Sequence, residues 1–182
     1  TIGSMRVTLY DYTYSFADDT DFLLIGPHGQ NIVLLGSAGG GTAGGLVTLN
    51  FTDAAGAVVP DNGPFSTSDF EPTSYRPVAN FPGSAPPPGP YNEPGGAIGG
   101  TTTQTLFGNF GGTNPNGTWS LYIRNQTQTT AVIGNIAGGW GLEFLGPTAP
   151  YASISGRVTT ADGFGIRNAK VVITGNSLVS PI

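Results

Sequence analysis

At 182 residues and without cysteine, the chain has room for one domain and the start of another, and it excludes disulfides and thiolate metal sites while leaving the redox compartment open. Thirty Gly and fifteen Pro approach the composition of disordered chains, yet 38% hydrophobic residues in alternating runs point to a loop-rich β protein. A net charge of −5, six scattered Lys and Arg, and 9% charged residues against the ~25% usual for soluble domains leave no phosphate-binding stripe, so nucleic acid is not an expected partner.

No apolar run approaches the ~20 residues of a membrane span. The chain enters a strand-like pattern directly at Thr1, which reads as a mature or trimmed piece. Residues 5–14 alternate. Met5, Val7 and Leu9 form one face, and Arg6, Thr8, Tyr10, Tyr12 and Tyr14 the other. The tyrosine row is expected outside, as cross-strand packing or as an exposed aromatic patch for a partner or glycan. Residues 22–25 and 32–35 read as a hairpin around the turn Pro27-His28-Gly29-Gln30. Residues 36–45 form a Gly-rich loop with no Lys-Ser/Thr ending, so it is not a phosphate loop. Residues 46–51 alternate again, leading into Asp53.

Residues 53–100 carry no regular pattern. Such length is uncommon in a compact domain, and the reading is an ordered excursion pinned by Phe65, Phe70, Tyr75, Phe81 and Tyr91. Residues 101–110 read as a strand with Leu106 and Phe110 facing in, and Asn114-Pro115-Asn116-Gly117 as a turn. Two closing strands follow. Trp119, Leu121 and Ile123 alternate with Ser120, Tyr122 and Arg124. Trp140, Leu142 and Phe144 repeat the pattern with Glu143 opposite. Both tryptophans are expected to anchor one core.

Two stretches carry a resemblance. Gly117-Thr118-Trp119-Ser120-Leu121-Tyr122, Gly134-Asn135-Ile136 and Trp140-Gly141-Leu142-Glu143-Phe144 resemble the closing strands of the proprotein convertase P domain. Asp18-Asp19-Thr20-Asp21-Phe22-Leu23-Leu24-Ile25-Gly26-Pro27-His28-Gly29 resembles that family's acidic strand opening. The two lie in the family's order and together span roughly residues 2–145. The resemblance implies a jelly-roll-like antiparallel β-sandwich, with a long connection where residues 53–100 fall. It does not imply an activity, because fold does not fix function.

Residues 147–151 read as a linker between a domain at 1–146 and an extension at 152–182. The extension, with residues 152–163 and 169–173, resembles the first two strands of the carboxypeptidase regulatory-like module, a small prealbumin-like sandwich. Two strands alone are marginal in water. The P-domain resemblance also implies a strand before residue 2 that is not present. Together these give an expectation of strand exchange between copies, with Ile154, Val158, Val171 and Ile173 as assembly residues. The alternative is a plain boundary inside a longer secreted protein.

Catalysis has little support. The single histidine, His28, sits in a turn, and no Ser-His-Asp order forms around it. Calcium is the expected cofactor if there is one. Ca²⁺ takes 6–8 oxygens, and Asp18, Asp19 and Asp21, approached by Asp53, offer a cluster. The P-domain resemblance matches at residues 18–21. It departs at Asn125 and at Thr129-Thr130-Ala131, where the family often carries Asp. Turn-forming aspartates that cap backbone N–H groups are the structural alternative. Asn50, Asn116 and Asn125 open Asn-x-Thr sequons, which matter only in a secreted, glycosylating setting. Thr101-Thr102-Thr103 and Thr127 to Thr130 are candidate O-glycan carriers.

The resulting expectation is a non-catalytic, secreted or cell-surface module. It assembles with copies of itself, in the extreme as fibres, or with neighbouring domains of a longer chain. The alternatives are an accessory domain of a secreted subtilisin-like protease, and an adhesin using the tyrosine face.

Overall fold

A computed structural model describes residues 1–83, 86–94, 104–127 and 134–146. The fold is all-β: two sheets packed face to face around one main core. Strand β1 (Ser4–Tyr14) is the axis of the first sheet. It pairs antiparallel with β4 (Gly44–Phe51) on one side. On its other side it pairs with β9 (Trp140–Leu145) along its first half and β8 (Gly134–Ile136) along its second. In the second sheet, β2 (Thr20–Ile25) lies between β3 (Asn31–Gly36) and β7 (Ser120–Asn125).

The expected hairpin of β2 and β3 is present, closed by Gly26 N–H donating to the Gln30 carbonyl. The two strands read as near-continuous apolar runs because both of their faces are covered. Phe22, Leu24, Ile32 and Leu34 point into the main core. Leu23 and Val33 point outward, into a second cluster formed with Val78, Phe81 and Tyr91.

The second cluster shows what the long excursion does. Its five aromatic pins, Phe65, Phe70, Tyr75, Phe81 and Tyr91, are all buried, as expected. The excursion is more regular than its sequence implied. It gives β5 (Ser68–Phe70), parallel to β4 in the first sheet, and then β6 (Thr73–Ser74), parallel to β3 in the second. One short stretch thus crosses from sheet to sheet and closes one flank. Thr73 Oγ1 accepts from Val59 N–H, and Tyr75 Oη donates to the Val59 carbonyl.

Three expectations are corrected. Tyr12 and Tyr14 are buried in the core and do not line an outer face; only Tyr10 is exposed. The cause is a bulge between Leu9 and Tyr12, with Asp11 at φ 53°, which rotates the rest of β1 by one position. Residues 106–110 form a short helix, α1 (Leu106–Phe110), and not a strand. Leu106 and Phe110 do face in, but at helical i, i+4 spacing, and the Thr105 side chain accepts from Gly108 N–H as N-cap. Of the two tryptophans only Trp119 packs on the core, between Phe110 and Phe144 at ring-centroid distances of 5.0 and 5.2 Å. Trp140 is 36% exposed.

Candidate functional site

The two flanks of the sandwich differ. The first is closed by residues 68–75. At the second, β9 and β8 of one sheet stand opposite β7 of the other, and no described strand lies beyond them. At one end of this flank the Phe110–Trp119–Phe144 stack fills the space between the sheets. Toward the other end the sheets part around a cleft of about 520 Å³. Phe22, Ile123 and Ile136 form its apolar walls, and Tyr12 and Thr20 are among its lining residues. Inner-face residues that would be covered in a filled sandwich are only half buried here: Leu121, Ile136, Leu142 and Phe144. Ile123 is 52% exposed.

Burial drives the electrostatics of this region. Tyr12 Oη is buried without a well-directed hydrogen bond; the Thr20 hydroxyl lies beside it. Desolvation holds its phenol protonated far above the ordinary range. On the opposite face of β2 from Thr20 and Phe22, Asp21 is fully buried. Its Oδ2 lies 2.9 Å from Arg124 Nη2 on β7, an ion pair too far off the N–H axis to be a directed hydrogen bond. Its Oδ1 accepts from Gln126 Nε2 at 2.9 Å, and the same nitrogen reaches Ser37 Oγ at 2.9 Å. Burial pushes the Asp21 carboxyl up to about 6, against the opposing pull of Gln126 and Arg124. Arg124 in turn lies over the Phe81 ring and donates to the Ala79 carbonyl. It ties β7 to the excursion that covers the second sheet.

The four aspartates expected to hold calcium are not brought together. Asp18 pairs with Arg76 at 3.7 Å. Asp19 accepts from the Thr127 hydroxyl. Asp21 is neutralised by Arg124. Asp53 lies at α1, where its two carboxylate oxygens accept from Leu106 N–H and Phe107 N–H at 2.8 and 2.7 Å. Among the described residues no three His, Asp or Glu side chains form a group that would hold a metal ion. Among the described residues these carboxylates face arginine, hydroxyl and backbone donors and not one another.

The other candidates are scattered. His28 is exposed in its turn, its Nε2 within 3.2 Å of the Asn114 carbonyl oxygen. Asn50 is committed in the sheet: its Oδ1 accepts from Thr8 Oγ1, and its Nδ2, the atom a glycan would take, donates to Asp69. Asn116 is exposed, and Asn125 Oδ1 accepts from Thr127 N–H. Ile154, Val158, Val171 and Ile173, the domain boundary at 147–151, and the threonines at 101–103, 129 and 130 lie outside the described residues. The sequence reading missed the Asp21–Arg124 pair: Arg124 sat in a strand it had drawn, but Asp21 was assigned to the acidic turn before a strand begun at Phe22, whereas β2 starts at Thr20. An acidic residue in an apolar strand was the available signal, because buried charges are paired. Comparison with family models, with curated proteins and with solved structures found no match.

Proposed function

We propose that this chain is a non-catalytic structural module of the secreted or cell-surface kind, whose copies associate by exchange of β-strands. The observation that carries the reading is the second flank, beyond which no described strand lies: apolar residues of both sheets, Ile123 and Ile136 foremost, line a cleft between strand edges. Apolar surface of this kind gains stability when covered, and a strand edge is the template for adding another strand. The sequence beyond residue 151 supplies strand-like segments in need of a sheet. A surface poor in charge agrees with an assembling protein.

The test is static light scattering of the purified full chain over a concentration series, with negative-stain electron microscopy of the most concentrated sample. Oligomers or filaments are expected. A strictly monomeric chain at every concentration overturns the reading.

A second reading has its own support. Two of the segments that resemble the convertase P domain are neighbours in the second sheet, with Leu23 opposite Tyr122 and Leu24 opposite Leu121, and the other two, in β8 and β9, both pair with β1 in the first. An accessory domain beside a subtilisin-like protease would then be the role. The sequence of the surrounding gene tests it: a protease domain encoded in the same frame supports it, and its absence removes it.

A further inference from the structure

We infer that the outer edge of β9 is the acceptor strand, and that residues 152–158 of a second copy are what it accepts. This rests on the assembly reading above and assigns its two surfaces. Four edges of the two sheets are available in principle. Two of them, β5 and β6, have only three and two residues, and short edges are a common protection against unwanted pairing. The third, β7, has six residues and is tied by the Arg124 side chain, on its outer face, to the excursion, while its inner face exposes Ile123 alone of the residues facing the cleft. The fourth, β9, has six residues, Trp-Gly-Leu-Glu-Phe-Leu, with no Pro, no Lys and one charge. It pairs with β1 on one side, and no described strand lies along the other.

The inner face of β9 is unfinished in the same place. Its partners on β1 are buried: Met5 opposite Phe144, Val7 opposite Leu142 and Leu9 opposite Trp140. On β9 itself, Leu142 and Phe144 are half buried and Trp140 is exposed, one strand further out. A strand laid along β9 covers them and brings its own inward side chains toward Ile123 and the cleft that Tyr12 and Ile136 line.

Residues 152–158, Ala-Ser-Ile-Ser-Gly-Arg-Val, fit this place in three ways. Their length, about 23 Å at ~3.3 Å per residue, matches that of β9. In strand form Ile154 and Val158 share one face with Gly156 between them, while Ser153, Ser155 and Arg157 share the other. That polar face falls on the side of Glu143, so the added strand sets Arg157 on the face where Glu143 already meets Arg6 at 3.8 Å. A second copy is taken as the donor because the assembly reading requires the added strand to come from another chain, and the two-cysteine chain in the test separates it from the same chain.

The absence of cysteine makes the test clean. Chains carrying Glu143→Cys are mixed with chains carrying Ser155→Cys and treated with a short bis-maleimide. Both positions lie on polar faces, so neither substitution enters the core. Linked peptides are identified by mass spectrometry, alongside light scattering of each mixture. A 143–155 link between the two variants is the expected result, suppressed by excess synthetic peptide of residues 151–160. Association without that link overturns the assignment of edge and donor and leaves the assembly reading standing. A link that forms only when both cysteines are in one chain overturns the second copy as donor. Monomers throughout overturn both.

Discussion

Asp11 on β1 and Leu46 on β4 are left-handed residues, at φ 53° and 44°, that flank the cross-strand pair Tyr12–Val47. Each is part of an extra residue in its own strand. Between Leu9 and Tyr12, β1 carries two residues where β4 carries one; between Gly44 and Val47, β4 carries two where β1 carries one. The second irregularity cancels the first, so pairing resumes in register at Tyr14–Gly44. Between them the two bulges turn Tyr12 and Tyr14 into the core, where Tyr12 meets Phe22 edge-on and Tyr14 packs on Phe65.

Leu46 is the costly half of that arrangement. Its side chain is exposed, so it gains little from burial while holding a conformation that costs an L-residue about 1–2 kcal/mol. Leu46→Asn, which tolerates the left-handed region, is expected to stabilise the domain by about 0.5–1 kcal/mol, and Leu46→Val to destabilise it. Urea denaturation of the three proteins checks this. A less stable Leu46→Asn would mean that the leucine side chain contributes more than its exposure indicates.

The same bulge explains what could and could not be read from the sequence. Strict alternation placed Met5, Val7 and Leu9 correctly, and the both-faces-apolar runs of β2 and β3 were visible as a hairpin. A one-residue insertion leaves the composition of a strand unchanged and moves every later side chain to the other face. The tyrosine row, and with it the aromatic adhesin surface, was therefore misplaced from Tyr12 onward. Helix α1 failed for a different reason. Leu106 and Phe110 fit both periods, since four is even and also close to one helical turn. Thr105 as N-cap and the Gly111-Gly112 stop were the deciding signals. The short strands β5 and β6 were illegible because two or three residues carry no period; tertiary pairing makes them. For the site, the sequence gathered acidic residues by proximity in the chain, while the fold distributes them to Arg76, Thr127, Arg124 and α1.

Tyr14 links the bulged strand to the excursion. Its Oη accepts from the buried Phe65 N–H at 2.8 Å. Tyr14→Phe keeps the ring and removes the acceptor, leaving a buried donor unsatisfied. The expected loss is about 1–2 kcal/mol. Chemical denaturation measures it. Amide hydrogen exchange at Phe65 should speed up more than at Leu49, which lies in β4 and is paired with Leu9. Uniform acceleration at both positions would mean that the bond has no local role.

Asp53 separates a structural carboxylate from a metal ligand. It caps the first turn of α1 through Leu106 N–H and Phe107 N–H, a position where a carboxylate also meets the positive end of the helix. Asp53→Ala is expected to cost about 1–2 kcal/mol, by the same amount in calcium and in chelator. Thermal melting of both proteins under both conditions is the check. A cost that appears only with calcium present would restore Asp53 to a metal site.

Asp21 gives the chain a pH dependence of unusual sign for a carboxylate. Burial raises its folded value to about 6 from an ordinary 3.8, so the native state binds this proton more tightly than the unfolded chain does. The contribution to stability is then fully present below the unfolded value and is lost as pH rises through about 6. A rise of about two units corresponds to roughly 3 kcal/mol. Other acidic groups contribute their own slopes, so the measurement is a difference. Stability of the wild type minus that of Asp21→Asn is expected to fall by about 2–3 kcal/mol between pH 4 and pH 7. Arg124 sets the opposing pull from 2.9 Å. If that ion pair outweighed burial, the difference would rise with pH instead. Urea denaturation of both proteins at several pH values decides between the two signs. Because Asp21 joins β2 to Arg124 on β7, the result also reports how firmly one wall of the cleft is held at neutral pH.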